Sequence, residues 1–186
     1  MKVLVQASDD RANEMIVRKL HHVAYRCRDA SETVDFYTNV LGLKFSHAVR
    51  NDNVPSTGEF YPHLHIFFEM DDGSSVAFFE TPNEAPMSFD PNTPQWVQHL
   101  ALEIDSKETQ LAFRERLDAM GVDYIGPTDH GFVQSIYFFD PNGHRLELTY
   151  RSQQPGELER AEQEAPRLLE KWLSDRKQWG EQDDLD

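Results

Sequence analysis

The chain has 186 residues, with 33 acidic and 18 basic side chains, and a formal net charge of −15 at pH 7. This length supports one domain, or two small modules that share a core, and excludes two large independent domains. The excess of negative charge repels nucleic acid and anionic membrane surfaces, so we expect neither as a partner.

The N-terminal segment and the cysteine content bear on where the protein acts. The stretch MKVLVQASDDRANEM carries acidic residues where a signal peptide would carry its apolar run. No apolar run reaches the roughly 20 residues that a transmembrane helix needs. A single cysteine, Cys27, excludes an internal disulfide framework and a multi-cysteine zinc site. We therefore expect a cytoplasmic protein that is not embedded in a membrane.

Two stretches of the chain follow the same plan. In the first, a strand-like run precedes apolar residues at helical spacing, with Ser31 as the N-cap of the helix and Gly42 as its end. From Val97 the same order returns, with Ser106 before the helix and Gly121 after it. Each helix is followed by apolar β-like segments joined by a turn, HLHIFFEM-DDGS-SVAFFET and SIYFFD-PNGH-RLELTY. The sequence therefore predicts two βαβββ modules.

Composition divides the chain into four segments. We predict the modules at residues 18–81 and 96–151, with a proline-rich linker at residues 82–95 between them. Within the first module, the segment Ser46–Pro62 is predicted to be a long loop of the kind that often covers a site.

Residues 152–186 are polar and acidic and are predicted to form a helical extension with one apolar face. That face holds Leu168, Leu169, Trp172, Leu173 and Trp179. It could dock on its own domain, pack against a second subunit or bind another partner.

The repeat places polar residues at comparable positions in the two modules. His22 and His99 stand at the head of each module, and Glu80 and Glu147 stand in its last strand. Alternation along a strand puts Glu80 on the same face as the apolar Phe78. A carboxylate in an apolar interior needs a partner, and a divalent cation between two carboxylates and two imidazoles supplies one. This ligand set suits zinc, nickel, cobalt, manganese or iron(II).

Each of these residues has a simpler interpretation when it is taken singly. A histidine at the start of a strand is commonly a hydrogen-bonded core residue, and a strand glutamate commonly faces solvent. Their recurrence in both modules favours the metal site. His21 is expected to point away from His22 and to take no part, and His63 and His65 are expected to line a pocket wall or a plain strand face.

Three stretches, LHHVAYRCRDASETVDFYTNVLGLKF, QHLALEID and YFFDPNGHRLELTY, resemble the vicinal oxygen chelate superfamily, which includes glyoxalase I, extradiol dioxygenases and the bleomycin and fosfomycin resistance proteins. The resemblance covers about residues 18–151 and implies an α+β fold. In this fold two βαβββ modules form a U-shaped mixed-sheet half-barrel around a metal, here followed by the C-terminal helical extension. His22, His99 and Glu147 match positions where metal-binding members place ligands, and Glu80 matches the fourth ligand of glyoxalase I.

Resemblance to the extradiol dioxygenases implies ring cleavage of a small catechol-like substrate, with non-haem Fe(II) or Mn held by His22, His99 and Glu147. Those enzymes have a tyrosine ten residues before the glutamate ligand, and a catalytic histidine followed by glycine shortly upstream. Tyr137 and His130 stand at such positions here. A phenol and an imidazole placed there could hydrogen-bond a substrate hydroxyl and dioxygen. We take ring cleavage as the first expectation.

Resemblance to glyoxalase I implies instead a lyase or epimerase that uses Ni, Zn or Co. Glu80 would then be both a ligand and the group that moves a proton beside a carbonyl, and Arg26 would hold the substrate. Thiol transfer to an epoxide is a further alternative. A metal-free ligand-binding resistance protein predicts missing ligands, whereas all four are present. Every one of these readings requires a small-molecule substrate, and a homodimer is the default assembly.

Overall fold

The computed structural model describes residues 17–81 and 84–180, and it describes side chains of the C-terminal helix only up to residue 176. The N-terminal segment discussed above and the side chain of Trp179 therefore lie outside the described residues. The chain divides into two compact units between Pro86 and Met87, within the proline-rich segment.

Over its described residues, the first unit holds one helix and four strands. In chain order they are β1 (His22–Cys27), α1 (Ala30–Asp35, continued by a π-helical turn at Phe36–Val40), β2 (Lys44–Asn53), β3 (Phe60–Glu69) and β4 (Ser75–Glu80). The order across the sheet is β1-β4-β3-β2. β1 runs parallel to β4, and the other neighbours are antiparallel.

Helix α1 begins two residues earlier than the sequence predicted. The side chain of Asp29, rather than that of Ser31, is the N-cap and accepts a hydrogen bond of 2.9 Å from the backbone N–H of Glu32. Aspartate and serine are comparable N-caps, and the sequence placed both at the start of this helix. Gly42 follows the helical segment with φ +75°, as expected for a residue that ends a helix.

The prediction of a long loop at Ser46–Pro62 is wrong. β2 and β3 form an antiparallel hairpin through this segment, from the pair Lys44 and Glu69 to the pair Asn53 and Phe60, and only a short connection remains between them. β2 lies at the sheet edge, and its side chains are exposed or half-exposed on both faces. The apolar alternation that identifies a half-buried strand is therefore absent from its sequence.

The second unit repeats the plan of the first. Its elements are β5 (Leu100–Glu103), α2 (Lys107–Ala119), β6 (Tyr124–Asp129), β7 (Val133–Phe139) and β8 (Arg145–Arg151), followed by α3 (Glu157–Gly180). The order across its sheet is β5-β8-β7-β6, which matches the first sheet strand for strand. The predicted caps of α2 are confirmed, because Ser106 accepts from the N–H of Thr109 at 3.2 Å and Gly121 follows the helix with φ +69°.

Each sheet buries one face. In the first unit, Tyr37 is fully buried and its ring lies 4.9 Å from the rings of both Phe68 and Phe78. In the second unit, the buried residues Leu146, Leu148 and Tyr150 share one face of β8, and α2 contacts this strand. Because strand side chains alternate, the neighbours of these residues point to the opposite face, where the polar residues collect.

These observations confirm an α+β fold of two βαβββ modules with a C-terminal helix. Among the described residues, no helix has both the length and the apolar character needed to cross a membrane.

Candidate functional site

Two of the expected metal ligands are in contact in the second unit. His99 directly precedes β5, and its Nε2 lies 2.9 Å from Oε2 of Glu147 in β8. Glu147 is almost fully buried, with 6% of its surface exposed. The buried hydroxyl of Ser135 donates to the other carboxylate oxygen, Oε1. Ser135 therefore holds one oxygen of Glu147 while the second oxygen is directed at His99.

The spacing of these two donor atoms fits neighbouring ligands of one metal ion. Imidazole nitrogens and carboxylate oxygens bind transition metals at about 2.1 Å, so two ligands at right angles lie about 3 Å apart. The 2.9 Å between His99 and Glu147 agrees with that separation. A buried carboxylate beside an imidazole is also the donor chemistry that such ions take.

His130 and Tyr137 are also brought together in the second unit. Nε2 of His130 lies 2.8 Å from the Tyr137 hydroxyl. Tyr137 is the cross-strand partner of Glu147, and its ring centroid lies 5.9 Å from that of His99. The guanidinium of Arg145 lies 4.3 Å from the centre of the Tyr137 ring. Burial raises the pKa of Tyr137, so its phenol stays protonated and remains a hydrogen-bond donor.

His22 lies in the first unit, among other histidines. Its Nδ1 is 2.8 Å from Nδ1 of His21, and its ring centroid is 6.0 Å from that of His65. The expectation that His21 points away from His22 is therefore wrong, and whether His21 takes part in a site stays a prediction. His21 precedes β1, so the alternation of strand side chains does not direct it away from His22. Sequence reasoning missed this neighbour because it treated both histidines as strand residues.

His65 has an unusual environment in the same unit. Its Nε2 is buried and has no hydrogen-bond partner within the described residues. Burial, followed by the neighbouring imidazoles of His22, His63 and His47, lowers the pKa of His65 to about 4. His65 is therefore a neutral imidazole in the physiological range. Its ring stacks on Phe79 at 3.7 Å, which agrees with the expected strand-face position.

Glu80 does not lie on the face that carries His22. The register pairs His22 with Ser75 and Cys27 with Glu80, so Glu80 belongs with Cys27 and Phe78 on the buried face. There its Oε2 accepts a hydrogen bond of 2.8 Å from the backbone N–H of Ala30, at the start of α1. The carboxylate thus has a protein partner, the N-terminal end of a helix, which favours negative charge.

The register also shows which residue of the first unit is equivalent to Glu147, and it is not Glu80. In the second unit Glu147 is opposite Ala101, two residues after His99. In the first unit the residue two after His22 is Ala24, and its partner is Ala77. Ala77 and Glu147 each lie four residues after the turn glycine, whereas Glu80 lies seven residues after it. This count was available in the sequence and identifies Ala77, which has no donor atom, as the counterpart.

Arg26 shares a strand face with His22 and has a partner within the first unit. Its Nη2 donates to the backbone oxygen of Ala85 at 2.7 Å. Binding of substrate by Arg26 stays a prediction. Within residues 17–81 and 84–180, no group of three or more histidine, cysteine, aspartate or glutamate side chains is close enough to hold one ion. The contact between His99 and Glu147 thus unites two of the four expected ligands.

Comparison with known proteins agrees with the repeated fold. The model of the Glyoxalase/Bleomycin resistance protein/Dioxygenase superfamily matches residues 19–148. The chain belongs to this superfamily, as the resemblance of its motifs predicted.

Two curated relatives and one solved structure illustrate the range of the superfamily. MhqA of Bacillus subtilis strain 168, whose name assigns it as a ring-cleaving dioxygenase, is 29% identical over 138 residues, which are 73% of this chain and 41% of MhqA. The chain thus spans less than half the length of that relative. Glyoxylase I 4 of Arabidopsis thaliana is 24% identical over 143 residues, 75% of each protein. The fosfomycin resistance protein FosX of Listeria monocytogenes, solved with Mn(II) and sulfate, has a TM-score of 0.51 and 20% identity, over 74% of this chain and 95% of FosX.

Proposed function

We propose that the protein is a metal-dependent ring-cleaving dioxygenase that acts on a small catechol-like substrate. His22, His99 and Glu147 would hold one non-haem Fe(II) or Mn ion, whose open positions would supply binding sites for the substrate and dioxygen. The observation that carries the proposal is the hydrogen bond between His130 and Tyr137 on the sheet face of Glu147. This arrangement joins an acid–base pair to a pair of metal-ligand residues within one unit.

Four residues of the second unit would have different roles in this reaction. Glu147 contributes a buried negative charge whose orientation is set by Ser135. His130 would accept the proton that a catechol hydroxyl loses on binding, because an imidazole nitrogen can act as a general base. Tyr137 stays protonated and donates a hydrogen bond to a substrate oxygen. Arg145, over the face of the Tyr137 ring, restrains that ring.

The number of ligands favours this reaction over the glyoxalase type. Two histidines and one carboxylate with open positions are the ligand set of non-haem iron oxygenases. Ala77 at the position equivalent to Glu147 leaves the first unit without a carboxylate ligand there. A glyoxalase-type site would require Glu80 as a metal ligand, but its carboxylate accepts a hydrogen bond from the backbone N–H of Ala30 at the start of α1 instead.

A lyase or epimerase of the glyoxalase I type, with Ni, Zn or Co, is the second candidate. Its support is the similarity to Glyoxylase I 4, which extends over 75% of both proteins. Arg26 would then hold the substrate. A divalent metal is common to both candidates, and the Mn(II) of the FosX structure shows that this fold can hold one. A cytoplasmic location and a small-molecule substrate remain part of either proposal.

One experiment separates the candidates. The protein is purified without oxygen, loaded in turn with Fe(II), Mn, Ni, Co and Zn, and assayed for oxygen uptake with a panel of catechols and hydroquinones and for isomerisation of hemithioacetals. We expect oxygen uptake with Fe(II) or Mn only. Hemithioacetal turnover with Ni, Co or Zn and no oxygen uptake would establish the second candidate in its place. If the protein bound none of the five metals, both candidates would be ruled out and a metal-free ligand-binding protein would be the remaining alternative.

Matched variants assign the roles. His130→Ala and Tyr137→Phe are expected to lower kcat by 10²-fold or more while metal content is unchanged, in the range typical of general acid–base groups. Glu147→Ala is expected to abolish tight metal binding. His63→Ala is the control, because Nδ1 of His63 is bound to the backbone oxygen of Tyr61 at 2.7 Å. Normal turnover by His130→Ala and Tyr137→Phe would remove the catalytic roles proposed for them.

A further inference from the structure

The C-terminal helix α3 is unusual in how little of it is buried. It has 24 residues, and every side chain from Leu158 to Ser174 is exposed. Its large apolar residues share this exposure, with Leu168, Leu169 and Trp172 more than half exposed at 53%, 58% and 55%. An exposed group of large apolar side chains on one helix typically marks an interaction surface.

Five apolar residues of α3, small and large, form a regular seam, while Leu169 and Leu173 lie outside this spacing. They recur at alternating steps of three and four, which is the spacing of a helix that packs against another helix along its length. The seam consists of Leu158, Ala161, Ala165, Leu168 and Trp172. Pro166, the proline inside the helix, follows a seam residue directly and so lies off the seam.

Charge is divided along the same helix. The residues beside the seam are acidic in its first half, at Glu157, Glu162 and Glu164, and basic in its second half, at Lys171 and Arg176. Lys171 also pairs with Asp175 of its own helix at the surface. A surface pair of this kind contributes little, so it does not withdraw Lys171 from another carboxylate.

A parallel pair of such helices would be poorly matched. In parallel packing, a charged residue beside the seam of one helix approaches the residue with a sequence number higher by five in the other helix. Glu157 would meet Glu162 of the other copy, and Lys171 would meet Arg176, so like charges would face each other twice on each side. Trp172 would also pack against its own counterpart.

An antiparallel pair is matched in both size and charge. When two α3 helices cross near residues 166 and 167, Leu168 packs against Ala165 of the other copy and Trp172 against Ala161. Each large residue thus meets a small one, which allows close packing. The flanking Glu164 then lies beside Lys171 of the other copy, and symmetry repeats this contact.

We propose that α3 is the interface of a homodimer in which the helices of two copies pack antiparallel through this seam. The occupant of the exposed face is therefore a second copy of the same chain. The matched part of the seam is Ala161–Trp172, since Leu158 would face the charged Asp175 at either end. This inference does not depend on the reaction proposed above.

Sedimentation equilibrium of the full chain between about 1 and 200 μM tests the dimer. We expect a concentration-dependent dimer, and the variant Leu168→Glu should be a monomer over the whole range because it places a charge in the seam. Ser174→Glu, which also adds an acidic residue to the exposed helix but lies off the seam, is the matched control and should still dimerise. A monomer at every concentration, or an unaffected dimer in Leu168→Glu, would overturn the proposal.

Charge reversal tests the orientation. Lys171→Glu and Glu164→Lys should each raise the dimer dissociation constant by about tenfold, from two symmetry-related contacts, and the double variant should restore it. Parallel packing predicts the opposite for Lys171→Glu, because the change would relieve repulsion with Arg176 of the other copy. Tighter dimerisation of Lys171→Glu would therefore refute the antiparallel arrangement. Circular dichroism of each variant verifies that the helix is retained.

Discussion

Ser135 is the residue whose role was least visible in the sequence. Its hydroxyl is fully buried and reaches both the Glu147 carboxylate and the Thr149 hydroxyl, the latter at 3.0 Å. Groups that orient a metal ligand commonly change metal affinity by 10- to 100-fold when they are removed. The sequence gives no sign that a serine in the middle of an apolar strand orients a carboxylate, because the contact is visible only once the neighbouring strand is placed.

We therefore expect Ser135→Ala to weaken metal binding by roughly tenfold or more, with the fold intact. Isothermal titration with Mn(II) measures this effect without reference to turnover. Ser46→Ala, which removes a serine hydroxyl from the β2 edge strand, is the control and should bind Mn(II) normally. Unchanged affinity in Ser135→Ala would show that Glu147 needs no partner to orient it.

Glu80 is expected to serve stability rather than metal binding. Glu80→Ala removes the acceptor of the Ala30 N–H and a negative charge at a helix start, which should cost about 1 kcal/mol in the free energy of unfolding. Urea denaturation and elemental analysis on the same preparation measure both properties. Loss of metal from Glu80→Ala would return Glu80 to the ligand set.

Cys27 provides a residue-level test of the first unit. It is 1% exposed, and burial raises the pKa of its thiol to about 11, so at pH 8 it is neither accessible nor ionised. Reaction with a thiol reagent at that pH should be slow in the folded protein and rapid in guanidinium chloride. Rapid reaction of the folded protein would mean that β1 and β4 open readily.

At the scale of elements, Gly126 of β6 lies against the backbone of Ser135 in β7, the residue that contacts Glu147. It has φ +115°, and a Cβ at this position would lie 2.7 Å from the backbone oxygen of Ser135. Gly126→Ala is therefore expected both to destabilise the protein and to weaken metal binding, because it displaces the strand that carries Ser135. The measurement is Mn(II) affinity together with the urea midpoint.

Gly121→Ala is the control for Gly126→Ala, because it introduces backbone strain without displacing a neighbouring strand. Gly121 also has a positive φ, of +69°, but a Cβ there meets nothing within 4 Å. We expect this variant to lose about 1 kcal/mol of stability, the cost of a left-handed conformation, and to bind Mn(II) normally. Equal loss of metal affinity in the two variants would argue against transmission through Ser135.

The elements were predictable where capping residues and apolar periodicity coincide. Helix α2 illustrates this, since Ser106 and Gly121 bracket a periodic stretch and the structure confirms both. Strand β2 was not predictable, because an exposed edge strand has no apolar face to leave a pattern. A different cause led to Glu80 being matched with Glu147: SVAFFE is apolar at almost every position, and periodicity alone does not set the register of such a strand.

At the scale of the whole molecule, the repeat and the family followed from sequence, whereas the complete ligand set remains a proposal. His99 and Glu147 are neighbours in the second unit, and the assignment of His22 rests on its equivalence to His99 in the repeat. Contacts within one module follow from local pairing rules. Side chains contributed by different modules depend on tertiary placement that local patterns do not encode.

The metal site proposed above, with His22 and His99 as ligands, predicts that bound metal stabilises the protein as a whole. A ligand that binds only the folded state adds RT ln(1 + [L]/Kd), so Mn(II) at about a hundredfold excess over Kd should add about 2.7 kcal/mol and raise Tm. His22→Ala should reduce this gain strongly although the residue lies in the other unit from Glu147. Calorimetry at several Mn(II) concentrations measures the effect. An undiminished gain in His22→Ala would confine metal binding to the second unit.

The alanine at position 77 has a consequence for the history of the superfamily. The two modules share one strand order, and at this matched position one module carries a carboxylate and the other a methyl group. Two of the four alanine codons differ from a glutamate codon by a single base. A duplicated module could therefore gain or lose a carboxylate at this position in one mutational step, without any rearrangement of its strand order.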